Sequence, residues 1–414
     1  MRLGVFTNQF PSRPCTFFAR DMRSLLDAGI AVDILPLYPV DASLWSAVPE
    51  ILGPDVLPRE RVHALSRREV LSARSVGGLL AAIGPSAAIG TSALRYGPGP
   101  VLKSGYAVGA ALAWARRFPS GTFDHVLAYW GNYAATAAYL YHRLNGAGVP
   151  FSTFVHARMD LYQHQVYLAQ KMLYADNIFL VCEFNRSYIR TKYPLAYPRL
   201  EPKIHIHHLG LDLEATEYRR DGRPGNMVLA VGRFEALKGF HRLLEAVARL
   251  AAGGRPIDLQ LIGGGEGERE LRALAARLGI ERTVRFRGWL PGEEVLEAMR
   301  QATILVHPPV TLDAMPTVLK EAIAVGTPVI ASNLAGIPEI LDFGRCGVLV
   351  PPGDVGCLAA AIDQLLGDPE ERCRLAAAGR EFAKRKFDLQ MNGRALAARL
   401  LATRRAIDPQ VTAR

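Results

Sequence analysis

The chain has few cysteines, and none of them stands in a recognisable pattern. Its 414 residues contain five, without a CxxC pair or a Cys/His spacing typical of zinc ligands. This argues against a disulfide framework and a structural zinc site, and it favours a reducing cytosol. The N-terminus also lacks the basic-then-apolar build of a signal peptide and is typical of a first strand. The cysteines are Cys15, Cys182, Cys346, Cys357 and Cys373.

Long apolar runs are missing too, apart from one uncharged stretch, Ser75–Leu94. It lies between Arg74 and Arg95, and its 20 residues would be enough to span a bilayer. However, only six of them are Leu, Ile or Val, and Pro85 would break a helix that has no neighbours. We therefore reject a transmembrane span and expect either a loosely structured, interfacial segment or a plain surface subdomain.

Acidic residues are scarce in the first half of the chain. The formal charge is +10: residues 1–210 hold 21 Lys and Arg against 13 Asp and Glu, whereas residues 211–414 hold 28 against 26. A positive face attracts nucleic acid, an anionic membrane surface or a phosphorylated substrate. The alternative is a solvated surface that is merely rich in arginine. Part of the excess is an arginine run from Arg59 to Arg74, directly before the uncharged stretch.

Short apolar or β-branched runs alternate with longer helical patterns along the whole chain. A polar break at 221–226 separates two such series. This alternation is typical of parallel, doubly wound sheets. The predicted strands are 2–8, 31–37, 125–130, 150–156, 177–182 and 203–208 in the first series, and 226–233, 258–263, 283–288, 302–307, 327–332 and 347–352 in the second.

We therefore predict an α/β fold of two facing Rossmann-like domains with parallel sheets. The predicted boundaries are 1–210 for the first domain, 211–385 for the second and 386–414 for a C-terminal helical tail. The helical pattern of the tail begins near Asp368, and we expect the tail to pack back on the first domain.

Two cations follow the first strand of the second domain. The segment 231–240 places Arg233 and Lys238 five residues apart, around a turn between a strand and a helix. Two cations at the carboxyl end of a parallel sheet, beside a helix N-terminus, suit a diphosphate. Taken alone, the pattern is equally compatible with two solvated surface cations.

A glycine-rich turn follows at 261–271. It fails the GxGxxG dinucleotide pattern, because Glu268 stands three residues after Gly265. Its glycines allow the backbone to approach a ligand or a neighbouring strand closely. We therefore place Gly264 and Glu266 at the candidate ligand site, with a simple strand–helix turn as the alternative.

The segment 307–341 is the most informative. A strand ends at its start, a loop then carries Asp313, and a helix opens near Thr317 with Glu321 one turn inside it. Both carboxylates can face a ligand at the carboxyl edge of the sheet, where they would accept hydrogen bonds from ribose and sugar hydroxyls. The amides of Thr317 and Val318 can donate to a phosphate. The alternative is a helix N-terminal acid and an unrelated surface acid.

The order of these motifs resembles the nucleotide-sugar domain of the retaining glycosyltransferases of family 4. The shared pattern is G-R-x4-K-G, then G-G-G-x-G, then (D/E)-x7-E-A-x3-G-x-P-V-I. FPSRPCTFFARDMRSLLDAGIAVDI, GNYAATAAYL, FSTFVHARMD and LVCEFNRSYI are similar to N-terminal segments of the family, and IHIHHLGLDLEATEY is similar to its linker. The resemblance covers most of residues 1–390 and is closest to bacterial transferases that build exopolysaccharide or other cell-surface glycans. It implies the GT-B fold and retaining hexosyl transfer from a nucleoside-diphosphate sugar.

The resemblance also implies roles for single residues. Arg233 and Lys238 match the cations that bind the diphosphate of the donor, and Glu321 matches the carboxylate that holds the ribose. Asp313 stands where the family has a glutamate that contacts the donor hexose. His156 matches a histidine of the N-terminal domain that points at the reacting centre. We therefore expect His156, Asp313, Arg233 and Lys238 to be catalytic.

No Asp-x-Asp pair occurs in the chain. Transferases that use such a pair hold a divalent ion on the leaving diphosphate, and here Arg233 and Lys238 can supply the positive charge instead. We therefore expect transfer without a metal or cofactor, by front-side attack in which the leaving phosphate oxygen takes the proton of the acceptor.

The basic first domain suggests the acceptor. We expect a glycan or a polyprenyl-diphosphate-linked sugar, bound by a cytoplasmic protein that associates peripherally with the anionic inner face of the cell membrane. Nucleic acid is not an expected partner, because no binding module or aromatic–basic repeat is present. A soluble small-molecule acceptor, a nucleotide-sugar epimerase and a catalytically silent partner subunit are alternatives on the same fold. A nicotinamide-dependent oxidoreductase would also explain the Rossmann pattern, but the glycine fingerprint that such enzymes carry after the first strand is missing here.

Overall fold

The computed structural model describes residues 1–11, 16–38, 59–72, 76–146, 148–220, 222–223 and 225–407, with backbone alone for 76–83, 158 and 405–407. Some of the predictions concern residues outside this set. Residues 12–15 of the predicted first loop, including Cys15, lie outside the described residues. The same holds for Arg74 and Ser75, between the arginine run and the uncharged stretch, and for residues 408–414 at the end of the tail.

The chain divides into two compact units, Met1–Gly210 with Leu389–Arg414, and Leu211–Asp388. The first unit contains a six-stranded parallel sheet in the order β2-β1-β3-β4-β5-β6. Its strands are β1 (Arg2–Thr7), β2 (Ala31–Pro36), β3 (His125–Ala128), β4 (Phe151–Val155), β5 (Asn177–Leu180) and β6 (Ile204–Ile206).

The second unit contains a second six-stranded parallel sheet, in the order β12-β11-β10-β7-β8-β9. The predicted α/β class with two parallel sheets is therefore confirmed. The strands are β7 (Met227–Val231), β8 (Asp258–Ile262), β9 (Val284–Gly288), β10 (Ile304–His307), β11 (Val329–Ser332) and β12 (Val348–Val350).

Helices connect the strands in both units. The first unit contains α1 (Thr16–Asp27), α2 (Arg67–Ser72), α3 (Val76–Leu94), α4 (Pro98–Arg117), α5 (Tyr133–Asn145), α6 (Leu168–Tyr174), α7 (Glu183–Lys192) and α8 (Tyr197–Leu200), with a π-helical turn at Arg158–Tyr162. The second contains α9 (Phe240–Ala252), α10 (Glu268–Arg277), α11 (Gly292–Gln301), α12 (Thr317–Val325), α13 (Ile337–Ile340), α14 (Val355–Gly367) and α15 (Pro369–Lys386). The last helix, α16 (Leu389–Ile407), belongs to the first unit again.

Hydrophobic patterning explains why these segments take these forms. The residues of β3, β4, β5 and β10 are all buried, as expected for parallel strands that are covered on both faces. Helix α9 buries Phe240, Leu243, Leu244 and Val247, which recur at the spacing of one helical face. Each sheet therefore forms the centre of its own hydrophobic core.

The strand order reverses once in each sheet, between β1 and β3 and between β7 and β10. In open parallel sheets the loops at the carboxyl ends of such strands diverge and leave a crevice for a ligand. Arg233 and Lys238 follow β7, and Asp313 follows β10, so the fold places them on the two sides of this reversal.

Residues 76–94 of the uncharged stretch are helical, which excludes the loosely structured segment, one of the alternatives left open by the sequence. Helix α3 runs from Val76 to Leu94, includes Pro85, and packs along α4. Pro85 is tolerated because the neighbouring helix supplies the packing that an isolated helix would lack. Among the residues described, no helix is long and apolar enough to cross a membrane.

The predicted tail separates into two helices with different locations. Helix α15, which the predicted boundary at 385 assigns to the second domain, belongs to the second unit and packs against α12 there. Helix α16 packs on α1 of the first unit, as expected. Its buried Leu396 and Leu400 join the core around Leu25, and Arg404 Nη2 lies 2.7 Å from Asp124 Oδ1.

Candidate active site

The loops that follow β7 and β10 are packed tightly against each other. Val310 N donates to Leu237 O at 2.9 Å. Gly239 has φ +71°, and a Cβ atom there would lie 1.8 Å from Pro308 O. Only glycine allows this approach, which brings Lys238 beside the loop after β10.

The glycine-rich turn after β8 joins the loop after β7 in a similar way. Phe234 N donates to Gly264 O at 2.9 Å, and a Cβ atom on Gly263, whose φ is +130°, would lie 1.9 Å from Gly232 O. A glycine is therefore required at position 263, because the loop after β7 passes too close to leave room for a Cβ atom. Gly264 is buried in the turn, and Glu266 is exposed at its rim.

Lys238, Asp313 and His307 form one hydrogen-bonded cluster at the carboxyl end of the sheet. Lys238 Nζ donates to Asp313 Oδ2 at 2.5 Å, and His307 Nε2 lies 3.2 Å from the same oxygen. The side chains of Lys238 and Asp313 are 17% and 18% exposed, so a ligand can still reach both groups. Lys238, the second cation of the predicted site, and Asp313, its first carboxylate, are thus in direct contact.

The charge of Asp313 is stabilised by this cluster. Burial alone would raise the pKa of Asp313, but the hydrogen bond from His307 and the positive charge of Lys238 outweigh it and hold the pKa well below its ordinary value. Burial and the nearby Lys238 lower the pKa of His307, although the hydrogen bond to Asp313 opposes this shift. Asp313 is therefore a carboxylate, and a hydrogen-bond acceptor, throughout the neutral range.

This shift predicts how stability depends on pH. A carboxyl whose pKa is lowered by folding stabilises the protein above its unfolded pKa, about 3.9 for Asp, and the stabilisation is lost as the pH falls through the folded value. We expect the difference in unfolding free energy between the wild type and Asp313→Asn to be constant from pH 7 to about 5 and to shrink below about pH 4. Urea unfolding of both proteins at each pH measures this difference. A difference that stays constant down to pH 3 would contradict the shift.

Arg233 has a more open position than Lys238. Its side chain is 59% exposed and pairs with Glu235, Nη1 to Oε1, at 2.8 Å. An exposed pair of this kind contributes little stability, so the guanidinium can exchange Glu235 for a phosphate at small cost.

Helix α12 contributes the remaining predicted donor residues. It begins directly after Pro316, and within the described chain no side chain caps its N-terminus and no acid stands in its first turn. The amides of Thr317 and Val318 therefore face the position where an anion would bind. Thr317, Val318 and Glu321 are all half-buried, with Glu321 one turn into the helix.

His156 lies in the first unit, at the carboxyl end of β4, inside an aromatic cage. Its ring centroid is 4.5 Å from that of Trp130, 5.1 Å from Tyr129, 5.5 Å from Phe154 and 5.7 Å from Phe17. The residue is 6% exposed, and in the described part of the structure neither ring nitrogen has a hydrogen-bond partner. A buried imidazole without partners is costly unless another molecule supplies them.

Two polar side chains hold the backbone of His156. Asp160 Oδ2 accepts from His156 N at 3.1 Å and lies 3.4 Å from Nδ1, while Asn185 Nδ2 donates to His156 O. These contacts set the direction of the ring without occupying its nitrogens.

Lys171 anchors the loop after β3, which lies beside His156. Its fully buried ammonium donates to Gly131 O and Asn132 O, both at 2.9 Å, and to Thr136 Oγ1 at 3.1 Å. Burial lowers the pKa of Lys171 to about 7, against the opposing charge of Asp160. Because Gly131 and Asn132 follow Trp130, this lysine positions one wall of the cage.

Sequence reasoning missed four residues of these sites: His307, Trp130, Lys171 and Trp289. Trp289 is 61% exposed, and its Nε1 would lie 2.8 Å from a Cβ atom on Gly264. A polar or aromatic side chain at or just after the carboxyl end of a strand was an available signal for His307, Trp130 and Trp289. Lys171 had no local signal, because it resembles an ordinary helical cation.

Within the residues that the structure describes, no group of three or more His, Cys, Asp or Glu side chains could hold a metal ion. In the candidate site of the second unit, Arg233 and Lys238 supply positive charge.

Residues 217–382 match the family described as glycosyl transferases group 1. The predicted resemblance to a glycosyltransferase family is therefore confirmed. The matched domain contains Arg233, Lys238, Asp313 and Glu321, whose roles remain predictions.

Two relatives in polysaccharide biosynthesis are similar to this chain. WcaL of Salmonella typhimurium, which is named for colanic acid biosynthesis, is 31% identical over 206 residues, or 48% of this chain and 51% of WcaL. The chain thus spans about half the length of that relative. The amylovoran biosynthesis glycosyltransferase AmsK of Erwinia amylovora is 25% identical over 417 residues, or 96% of this chain and 98% of AmsK.

A solved structure supports the fold of this chain. Anabaena HepE in complex with UDP-glucose superimposes with a TM-score of 0.68 at 16% identity, over 97% of this chain and 99% of HepE. At this identity the likeness shows the fold alone, and it confirms the expected GT-B architecture.

Proposed function

We propose that the protein transfers a hexose from a nucleoside-diphosphate sugar to a glycan or lipid-linked acceptor in cell-surface polysaccharide synthesis, with retention of configuration and without a metal ion. The observation that carries this proposal is the cluster on the loops after β7 and β10, where Lys238, Asp313 and the start of α12 lie together. The names of WcaL and AmsK support the polysaccharide pathway, and the HepE complex supports a nucleotide-sugar donor.

In this proposal the donor diphosphate binds among Arg233, Lys238 and the amides of Thr317 and Val318. As the bond between the anomeric carbon and the phosphate oxygen breaks, its electron pair moves to that oxygen. Lys238 and the amides stabilise the developing charge without reorganisation, because the loops already hold them in place. Arg233 exchanges Glu235 for the phosphate when the donor binds.

The acceptor hydroxyl attacks the face that the leaving group departs from, so the configuration is retained. Its proton passes to the leaving phosphate oxygen, and the products are the glycosylated acceptor and the nucleoside diphosphate. Asp313 accepts a hydrogen bond from the hexose through the oxygen capacity that Lys238 and His307 leave free, and Glu321 accepts from the ribose. His156 supplies its unpartnered ring nitrogens to the substrate.

The test of this proposal is an activity screen across a panel of nucleotide sugars, with release of nucleoside diphosphate and α-anomer formation as readouts. The proposal expects one preferred donor, retained configuration, and full activity in EDTA. Inverted product, or activity lost in EDTA and restored by a divalent ion, would overturn the mechanism.

The two carboxylates of the donor site can be separated by calorimetry. We expect Glu321→Gln to weaken binding of the free nucleoside diphosphate by about tenfold, the effect of losing one hydrogen bond to a charged acceptor. Asp313→Asn should leave that binding within about threefold and impair sugar transfer instead. The opposite pattern would mean that the ribose and hexose roles were exchanged.

We also propose peripheral binding to an anionic membrane through the first unit. Arg67 and Arg68 at the start of α2 are exposed, whereas Arg61 is held by the buried Asp33 at 3.1 Å. Each cation close to an anionic bilayer contributes about 1 kcal/mol, and salt screens this contribution.

Vesicle co-sedimentation measures the membrane contact. The wild type should sediment with vesicles rich in phosphatidylglycerol at low salt and be released at high salt. The variant Arg67→Glu/Arg68→Glu should bind less, while the matched variant Arg269→Glu/Arg272→Glu in the second unit should bind like the wild type. Absence of vesicle binding at low salt would contradict the proposed peripheral membrane binding.

A further inference from the structure

A cavity of about 320 Å³ lies between α3 and α4 in the first unit. Its size falls within the range of about 300–1,000 Å³ that is usual for small-molecule sites. Most of its wall is apolar, and the larger side chains that line it are Ile89, Val101, Val108 and Leu112.

Two serines interrupt this apolar wall. Ser86 and Ser104 line the cavity, and their Oγ atoms are buried without a hydrogen-bond partner among the described residues. Ser104 is 2% exposed, so its hydroxyl is shielded from bulk solvent. A buried hydroxyl without a partner is unfavourable, and an occupant with an oxygen-bearing end would satisfy it.

Both walls of the cavity extend towards the loops around His156. On α4, the ammonium of Lys103 lies 5.9 Å from the ring centroid of Tyr133, the first residue of α5 after the loop of β3. On α3, Ser92 Oγ accepts from Tyr167 N at 2.9 Å, which joins this helix to the segment after His156. The cavity therefore neighbours the carboxyl edge of the first sheet.

The exposed surface at this end combines cations with large apolar side chains. Leu94 is 67% exposed and precedes the exposed Arg95, and Leu102 is 74% exposed and precedes the exposed Lys103. Adjacent apolar and cationic groups of this kind suit an amphiphile with an anionic head.

We propose that this cavity binds the first isoprene units of a polyprenyl diphosphate that carries the acceptor sugar, with Lys103 and Arg95 contacting the diphosphate. This inference rests on the proposed function and gives its acceptor a chemical class and a site. The volume is about twice the ~150 Å³ that holds one benzene molecule in an engineered cavity, so it accommodates roughly ten to twelve carbons, or two isoprene units. The serine hydroxyls donate to the phosphate ester oxygens at the head of the chain, and the exposed leucines contact the chain beyond the cavity.

The experiment is calorimetric titration of the full chain with farnesyl diphosphate, in the presence of a saturating nucleoside diphosphate that occupies the donor site. Gly90 lines the cavity and Gly84 does not, yet both lie on α3 and both have open space where a Cβ atom would stand. Gly90→Leu therefore fills the cavity, and Gly84→Leu is its matched control. Gly105→Leu, which fills the cavity from α4, is the second filling variant.

We expect the wild type to bind farnesyl diphosphate at least about tenfold more tightly than inorganic pyrophosphate. Both filling variants should bind farnesyl diphosphate at least about tenfold more weakly than the wild type. The affinity of Gly84→Leu should stay within about twofold of the wild type, and Lys103→Ala should bind about fivefold more weakly. Equal binding of farnesyl diphosphate and pyrophosphate, or unchanged binding by folded filling variants, would overturn the site. Equally tight binding of dodecyl diphosphate would make it a general alkyl site and overturn the isoprenoid assignment.

Failure of this inference is distinguishable from failure of the proposed function. Nucleoside diphosphate binding depends on the second unit, and donor hydrolysis depends on that unit and His156, so both should be unchanged in Gly90→Leu. If the wild type lacks both, the proposed function fails. If both are normal and the filling variants have no effect on farnesyl diphosphate binding, the cavity assignment alone fails.

Discussion

Replacing Arg233 by alanine should lower the turnover of glycosyl transfer by about 10²–10³-fold while the midpoint of thermal unfolding stays nearly the same. The loss of one charge contact to the leaving group removes about 3–4 kcal/mol of transition-state stabilisation. The stability effect is small because the side chain is 59% exposed and its ion pair with Glu235 lies at the surface. Steady-state kinetics and thermal unfolding of the same preparation measure both quantities.

Lys238→Ala should differ from Arg233→Ala in one respect. It should lower turnover by a similar factor, but it should also lower the unfolding midpoint, because Asp313 loses its ammonium partner at 2.5 Å and keeps only the contact with His307 among those described. Arg269→Ala is the control for a lost surface arginine, since its side chain is 93% exposed. Normal activity in the double variant Arg233→Ala/Lys238→Ala would contradict the proposal that these two residues bind the donor diphosphate.

Replacing His156 by phenylalanine should lower turnover by about 10²-fold or more and leave the unfolding midpoint the same or higher. The new ring fills the aromatic cage, so packing is kept, while the two ring nitrogens that could contact the substrate are removed. Neither nitrogen makes a hydrogen bond among the described residues, and Asp160 Oδ2, which faces Nδ1 at 3.4 Å, keeps its hydrogen bond from His156 N, so the substitution breaks no hydrogen bond there. Nucleoside diphosphate binding, which belongs to the second unit, should not change.

His142 provides the matched control for this substitution. It is also a buried histidine of the first unit, but Nδ1 lies 2.8 Å from Tyr174 Oη and Nε2 lies 2.8 Å from Val149 O. His142→Phe should therefore lower the unfolding midpoint and leave the turnover of the folded enzyme nearly unchanged. If both variants affected stability alone, His156 would be a packing residue.

Much of the fold was predictable because its signal is local. The runs that become β1 to β12 were identified with ends within two residues, and alternation with helices predicted two parallel sheets. The sequence left alternatives open where tertiary contacts outweigh local preference. Pro85 and the glycines around it disfavour an isolated helix, yet packing along α4 makes α3 helical.

The candidate site was predictable in its membership and less so in its contacts. Arg233, Lys238, Asp313 and Glu321 follow strand ends in a recognisable order, so the sequence alone identified them as one group. It could not show that Lys238 and Asp313, 75 positions apart, share a hydrogen bond, or that His307 completes the cluster. The same holds for Lys171, whose role depends on the loop that it reaches 39 and 40 positions earlier in the chain.

Local pattern alone predicted the two parallel sheets, the resemblance to a glycosyltransferase family and the identity of the charged groups after β7 and β10. Periodicity and motif order are properties of neighbouring residues, so they can be recognised without a structure. Tertiary packing sets which of these groups touch, places His156 in an aromatic cage and forms a cavity between α3 and α4. These features depend on distances between segments far apart in the chain, and such distances are set by packing rather than by local pattern.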